Sequence, residues 1–321
     1  MTRVFVTGGS GFIGTNLIES LLHDGFEVAN FDWRSPKILQ HERLFHEGDI
    51  RNGESLTKAL VDFRPEWVVH LAAKTGLGGA TLADYDTNTV GVKNVLDATR
   101  AAGTVSRIVL ASSRYVHRTE VFPLRDDDYS PFTIYGESKV ETERIVRSSE
   151  LEIPWILVRP TSIWGPWFDN SYRMLFNAVR RGVYVHPRGR RISKSFGYVG
   201  NVVFQIRQFL SADESKVVHR TFYVSDLENM DVLQYAQLIQ EAYGAPPVRQ
   251  VPMPVLKALA LSGDVLKRIG VKKVPLTSFR LNNLLTPMNY DMSATREVCG
   301  PSPYTLKEGV RATVDWMQLH G

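Results

Sequence analysis

The stretch that decides the fold is Arg3-Val-Phe-Val-Thr-Gly-Gly-Ser-Gly-Phe-Ile-Gly14. Its first half is a β-branched and aromatic run with almost no polar alternation, which predicts a strand buried on both faces. Gly8, Gly11 and Gly14 follow with the spacing G-x-x-G-x-x-G, and amphipathic helical spacing begins at Phe12. Glycines at a strand-to-helix turn let the backbone close on a pyrophosphate, whose charge the helix N-terminus stabilises. Phe12 and Ile13 belong to the same turn.

Outward from this turn the alternation repeats. Strands are predicted at 3–7, 27–32, 44–48, 67–71, 107–112 and 155–159, with helices near 12–24, 53–63, 84–103 and 135–149. Repeated strand–helix units imply an α/β fold: a doubly wound parallel sheet of Rossmann type with a smaller, mainly helical lobe. We expect a dinucleotide-binding domain over 1–168, with return segments near 194–226, and a substrate-binding lobe from 169–193 and 227–321. A further strand pair, 194–199 and 221–224, is expected to rejoin the sheet.

The chain has 321 residues, 43% hydrophobic and 22% charged, with a formal charge of +4. These values suit a globular protein and give no footprint for nucleic acid. A single cysteine, Cys299, excludes an intrachain disulfide and a cysteine-based zinc site. No metal is expected, and His41 and His46 read as surface residues. The N-terminus carries no signal peptide pattern and no apolar run is long enough to span a bilayer. A cytoplasmic location without membrane contact is expected. Val255, Leu256, Leu259, Val265 and Leu266 would suit an amphipathic membrane-facing helix, but core packing is the commoner explanation.

Asp32 ends the second strand, where a carboxylate accepts both ribose hydroxyls of NAD and repels the 2′-phosphate of NADP. Arg34 could grip that phosphate, so NADP is not excluded. Asp49, beside Ile50, closes the third strand; it reaches an adenine edge or is a plain turn residue. Tyr135-Gly-Glu-Ser-Lys139 sets a phenol and an ammonium four apart on one helical face, where the cation is expected to lower the phenol pKa. Ser112-Ser113 ends the preceding strand, at the edge that faces the cofactor crevice. A serine hydroxyl there binds a substrate carbonyl while the tyrosine exchanges a proton. The catalytic set is Ser113, Tyr135 and Lys139, with Ser112 as the neighbouring alternative.

Arg180-Arg181, Arg188-Gly-Arg190-Arg191 and Lys194 form a basic stretch. It is either a clamp for a substrate diphosphate or a solvated loop; a nucleic-acid patch would want aromatic platforms, which are missing. No G-x-S-x-G and no P-loop lysine occur, which argues against a serine hydrolase and an NTPase. A cofactor-sensing binding protein of the same fold is the second class, but it would have lost Tyr135 or Lys139.

These motifs, with His70-Leu-Ala-Ala73, Asn88-Thr-Val-Gly91, Arg159-Pro160, Gly165-Pro166 and Tyr198-Val199, closely resemble the extended short-chain dehydrogenase/reductase superfamily, in its NAD-dependent epimerase/dehydratase branch. The resemblance implies that Leu71, Ala72, Ala73, Asn88 and Pro160 line the cofactor. It also implies that Lys74, Arg188, Arg191, Lys194 and Arg280 meet the substrate, a nucleotide sugar handled by an epimerase or reductase at a ring hydroxyl, C4 foremost. Members that dehydrate sugars carry an Asp-Glu pair after the serine or threonine; this chain has Arg114-Tyr115, so dehydration is not expected. The usual Val-Tyr-Gly becomes Val116-His117-Arg118. Tyr198–Val202 and the tail near Pro275-Leu-Thr277 also look like the 3β-hydroxysteroid dehydrogenase branch. Similar enzymes are homodimers through the helices near 86–103 and 135–149, which would turn Val140, Ile145 and Val146 toward a partner.

Overall fold

The computed structural model describes residues 1–118, 125–168, 170–271, 274 and 276–320; Pro275 lies outside them. The chain forms two compact units, Met1–Phe168 with Gly197–Leu227 and Asp291–Tyr304, and Asp169–Phe196 with Glu228–Tyr290 and Thr305–Gly321.

The first unit is built on β1 (Arg3–Thr7), β2 (Glu27–Asp32), β3 (Phe45–Glu47), β4 (Trp67–His70), β5 (Arg107–Ala111) and β6 (Trp155–Pro160). A seventh strand, Arg220–Val224, pairs parallel with β6, and the sheet runs Arg220–Val224, β6, β5, β4, β1, β2, β3. The order reverses between β4 and β1, and that reversal point is where such sheets open a ligand crevice. Helices α1 (Phe12–His23), α2 (Gly53–Phe63), α3 (Asp86–Ala102) and α4 (Ile134–Arg147) flank it. Phe5, Phe31, Val68, Ile108, Leu110 and Leu157 share one core with Leu56 and Leu60 of α2, Val92 and Val95 of α3, and Val146 of α4. Val4, Val6, Val69 and Val109 are equally buried, and this two-sided burial is why the strands read as unbroken apolar runs.

Several expectations need correction. The segment 194–199 does not rejoin the large sheet. Ser193–Lys194 pairs antiparallel with Met230–Asp231, and the Ser195 amide donates to the Met288 carbonyl, anchoring this stretch in the second unit. Asp291–Tyr304, read from sequence with the second lobe, packs in the first unit, where Thr295 Oγ1 donates to the Tyr223 carbonyl at 2.6 Å. His41 is buried, not superficial, and its Nε2 lies 2.6 Å from Glu19 Oε1. Val140, Ile145 and Val146 are buried within the chain itself, so they cannot form a dimer face. Of the five apolar residues assigned to core packing in Met253–Arg268, only Leu256 is buried. No helix among the described residues is long and apolar enough to cross a membrane.

One buried ion pair crosses the core of the first unit. Glu143 of α4 accepts from Arg159 of β6 at 2.8 Å (Nε to Oε1) and 2.7 Å (Nη2 to Oε2). Burial alone would raise the Glu143 carboxyl, but the bonds and charge of Arg159 outweigh it and hold the group below its ordinary value. Ser112 Oγ and Tyr129 Oη also donate to this carboxylate, at 2.6 and 3.0 Å. His117, the departure in Val116-His117-Arg118, is absorbed here: its Nε2 accepts from Arg159 Nη1 at 3.1 Å. Burial, and then the Arg159 charge, push its imidazole down to about 4, so it stays neutral as an acceptor. Removing one partner leaves a charge stranded in the core. Glu143→Ala should therefore cost roughly 3–5 kcal/mol in urea denaturation; a loss below about 1 kcal/mol would show that the pair is solvated.

Candidate active site

The site grows from the turn after β1. Gly8 has φ +76°, and a Cβ there would sit 2.5 Å from the Ala72 amide nitrogen. Only glycine allows β1 and β4 to close this tightly at the sheet's reversal point. A Cβ on Gly14 would lie 2.3 Å from the Gly8 carbonyl, so α1 rests directly on the turn. Gly11 caps α1 without any side-chain cap, which leaves the first-turn amides available to an anion.

Asp32 is buried, with Oδ2 accepting from the Ser10 amide and Oδ1 from the Arg34 amide, each at 3.0 Å. Burial raises its carboxyl above the ordinary value, while those amides and Arg34 act to lower it. Each oxygen keeps a further lone pair for a ribose hydroxyl. The Arg34 guanidinium lies over the Trp33 ring at 4.7 Å, and Trp33 is 65% exposed.

A cleft of about 510 Å³ opens here, lined by Gly8, Gly11, Asp32, Asp49, Ile50, Leu71, Ala72 and Ala73, all named from sequence. Lys74 lines it too, with its ammonium 5.3 Å from the centre of the Tyr85 ring. Asp49 is gripped by Arg51, whose hydrogen bonds hold the carboxyl below its ordinary value; Arg51 also reaches Asp86 at 3.1 Å. Phe12, Ile13, Gly14, Asn88 and Pro160 do not line this cleft. Asn88 stands behind it: Oδ1 accepts from the Lys74 amide, while Nδ2 donates to the Lys74 carbonyl and to Ser138 Oγ. It fixes the loop after β4 to α4. Sequence reading missed Trp33, Arg51 and Asp86; Trp33 had one signal, an aromatic residue directly after the strand-ending Asp32.

At the end of β5, Ser113 bonds the Tyr135 phenol and accepts from the Tyr115 amide at 3.2 Å. Thr133 caps α4 through the Gly136 amide and so starts the helix two residues before Tyr135. Tyr85 and Tyr115 crowd the phenol, with ring centres 6.1 and 5.6 Å away. Burial pushes Tyr135 up to about 12, against the pull of the Ser113 bond. The expected lowering by Lys139 is thus not seen. Lys139 is buried and donates to the Ala111 carbonyl at 2.8 Å, and burial brings its ammonium down to about 8. The phenol therefore holds its proton at neutral pH, poised as an acid beside a serine hydroxyl.

The basic residues of the second unit do not converge on one point. Lys194 is buried and donates to the carbonyls of Asn283 and Thr286, at 2.7 and 2.6 Å. Arg280 donates to the Val274 carbonyl and Arg188 to the Gln250 carbonyl, while Arg191 lies 3.7 Å from Asp231 and its side chain is 88% exposed. Each side chain has its own local partner, which disperses the expected clamp.

Replacing Tyr135 by phenylalanine keeps the ring stack and removes the proton. Tyr135→Phe should lower kcat by roughly 10²–10⁴-fold with the affinity for cofactor largely kept. Turnover equal to wild type would remove Tyr135 from the reaction.

The model of the NAD dependent epimerase/dehydratase family matches residues 4–224. An Escherichia coli O157:H7 protein, N-acetyl-alpha-D-glucosaminyl-diphospho-ditrans,octacis-undecaprenol 4-epimerase, is 26% identical over 99% of this chain and 96% of its own length. A 3-beta-hydroxysteroid dehydrogenase from Mycolicibacterium neoaurum is 32% identical over 97% of this chain and 89% of its own. Among solved structures, UDP-glucose 4-epimerase from Thermotoga maritima superposes with a TM-score of 0.74 at 22% identity, covering 99% of both chains. The uncapped glycine turn and the strand-ending Asp32 fit the dinucleotide that this family uses. The chain belongs to the NAD-dependent epimerase/dehydratase family, and is an NAD-dependent oxidoreductase or epimerase of the extended short-chain dehydrogenase/reductase type.

Proposed function

We propose that this protein is an epimerase or reductase acting on a ring hydroxyl, foremost C4, of a sugar carried on a diphosphate. The observation that carries the reading is the Ser113–Tyr135 pair at the end of β5, with Arg114-Tyr115 following it in place of an acidic pair. One hydroxyl and one phenol serve a single alcohol or carbonyl centre and leave no evident acid/base pair for eliminating water. NAD, when bound, supplies hydride transfer to and from the reacting carbon. Ser113 Oγ binds the substrate oxygen, Tyr135 Oη exchanges its proton, and Lys139 and Asn88 hold the ends of β5 and β4 in place around them. Arg188 and Arg191 are the exposed basic groups offered to a diphosphate; Lys194 and Arg280 donate to backbone carbonyls. The E. coli relative, whose name specifies a diphosphate-linked sugar and a 4-epimerisation, supports the reading.

A second reading, oxidation of a hydroxysteroid, is favoured by the higher identity of the M. neoaurum relative. A homodimer through α3 and α4 belongs to the same proposal. It would use the exposed Val90, Lys93, Asp97 and Arg100 of α3 with Glu137 and Arg144 of α4, and light scattering of the purified protein checks it.

The deciding assay incubates the purified enzyme with UDP-glucose or a 3β-hydroxysteroid in the presence of NAD. The sugar reading expects conversion of the UDP-glucose, resolved chromatographically. Epimerisation leaves no net NADH, because one oxidation is followed by one reduction. An untouched sugar nucleotide together with steroid oxidation and stoichiometric NADH would replace the first reading with the second.

A further inference from the structure

The helix Met253–Arg268 packs by one narrow strip. Leu256, Ala260 and Gly263 are buried, and Leu256 and Ala260 share a small core with Leu281, Val251 and Leu276. A Cβ on Gly263 would collide with the Leu276 carbonyl, so the chain at 276 lies tight against this strip. The opposite side is exposed and apolar. Val255, Leu259, Ser262 and Leu266 recur at helical spacing as one row, and Ala258, Leu261 and Val265 form the row beside it. Leu259 is 48% exposed, Leu261 62% and Val265 56%. Ile269 and Val271 extend the exposed apolar run past the helix end. A helix that is apolar nearly all round is normally enclosed; this one is enclosed on a single strip.

The charges around this face are of one sign. Lys257, Lys267 and Arg268 are exposed, whereas Asp264, the one acidic residue of the helix, turns to the packed side and accepts from the Ser278 amide at 3.2 Å. Lys272 and Lys273 follow in the sequence. Residues 253–273 thus hold five Lys or Arg against one Asp.

We propose that Met253–Arg268 is a docking helix that seats its exposed apolar face on an anionic lipid surface. An apolar stripe flanked by Lys and Arg, on a helix too short to span, is the pattern of interfacial binding: the side chains enter the acyl boundary and the cations meet the headgroups. A second copy of this chain fits less well, because a two-fold contact sets the same patch against itself and brings like charges together.

The test is flotation of the full-length protein with vesicles of equal parts phosphatidylcholine and phosphatidylglycerol, and with vesicles of phosphatidylcholine alone. Wild type should float with the anionic vesicles, less with the neutral ones, and less again in high salt. The Leu259→Glu/Leu266→Glu double variant should bind at least about tenfold more weakly, with an unchanged thermal melt, since neither side chain is buried. Failure of wild type to float, equal binding to both vesicles, or equal binding by the variant would overturn the proposal. A fall in solution mass on introducing the two glutamates would overturn it too, and would assign the face to a second copy.

Discussion

The first unit depends on one close approach, that of the turn after β1 to the end of β4. Gly8 sits against the Ala72 amide at a distance no side chain tolerates, and its own amide donates to the Phe31 carbonyl at the end of β2. Three strand ends are thereby held in register at the point where the sheet order reverses. The Asp32 carboxylate finishes the arrangement by accepting from the Ser10 amide inside the same turn. The carboxylate that reads the ribose also braces the loop that receives the pyrophosphate, so cofactor selection and turn geometry share one group.

The second level of support lies behind the reacting groups. Ser112 is tied to Glu143, Glu143 to Arg159, and Arg159 to His117, while Lys139 bonds the Ala111 carbonyl on the same strand end. Strand β5, helix α4 and strand β6 are thus joined by charge-assisted bonds in a dry interior, where such bonds fix side-chain directions most strongly. Burial has a chemical consequence at the front of the site. It raises the Tyr135 phenol and lowers the Lys139 ammonium, bringing the two closer in proton affinity than they are in water.

Much of this was legible in the sequence because it is local. The strand–turn–helix pattern at 3–14, the strand-ending Asp32 and the Tyr135–Lys139 spacing each lie within one or two elements, and the structure puts them where periodicity did. What was not legible is the identity of the packing partner. The apolar pattern of α4 says that Val140, Ile145 and Val146 are covered; it cannot say whether their own chain or another covers them. His41 is polar and lies in a short 3₁₀ turn, so nothing local marked it as buried against Glu19. In Met253–Arg268 the error ran the other way, since the composition suits a core and the fold supplies only one narrow strip. Lys194 looked like an anion ligand, yet it holds the backbone near 283–286, a contact about ninety residues away in sequence.

The central claim is that the switch-point turn and Asp32 together form an NAD site and discriminate against a 2′-phosphate. Calorimetric titration of the wild-type protein with NAD and with NADP tests it most directly. The account predicts that NAD binds at least about tenfold more tightly, because the second phosphate would meet the Asp32 carboxylate. Equal or tighter binding of NADP would contradict it and make Arg34, stacked on Trp33, the residue that reads the ribose.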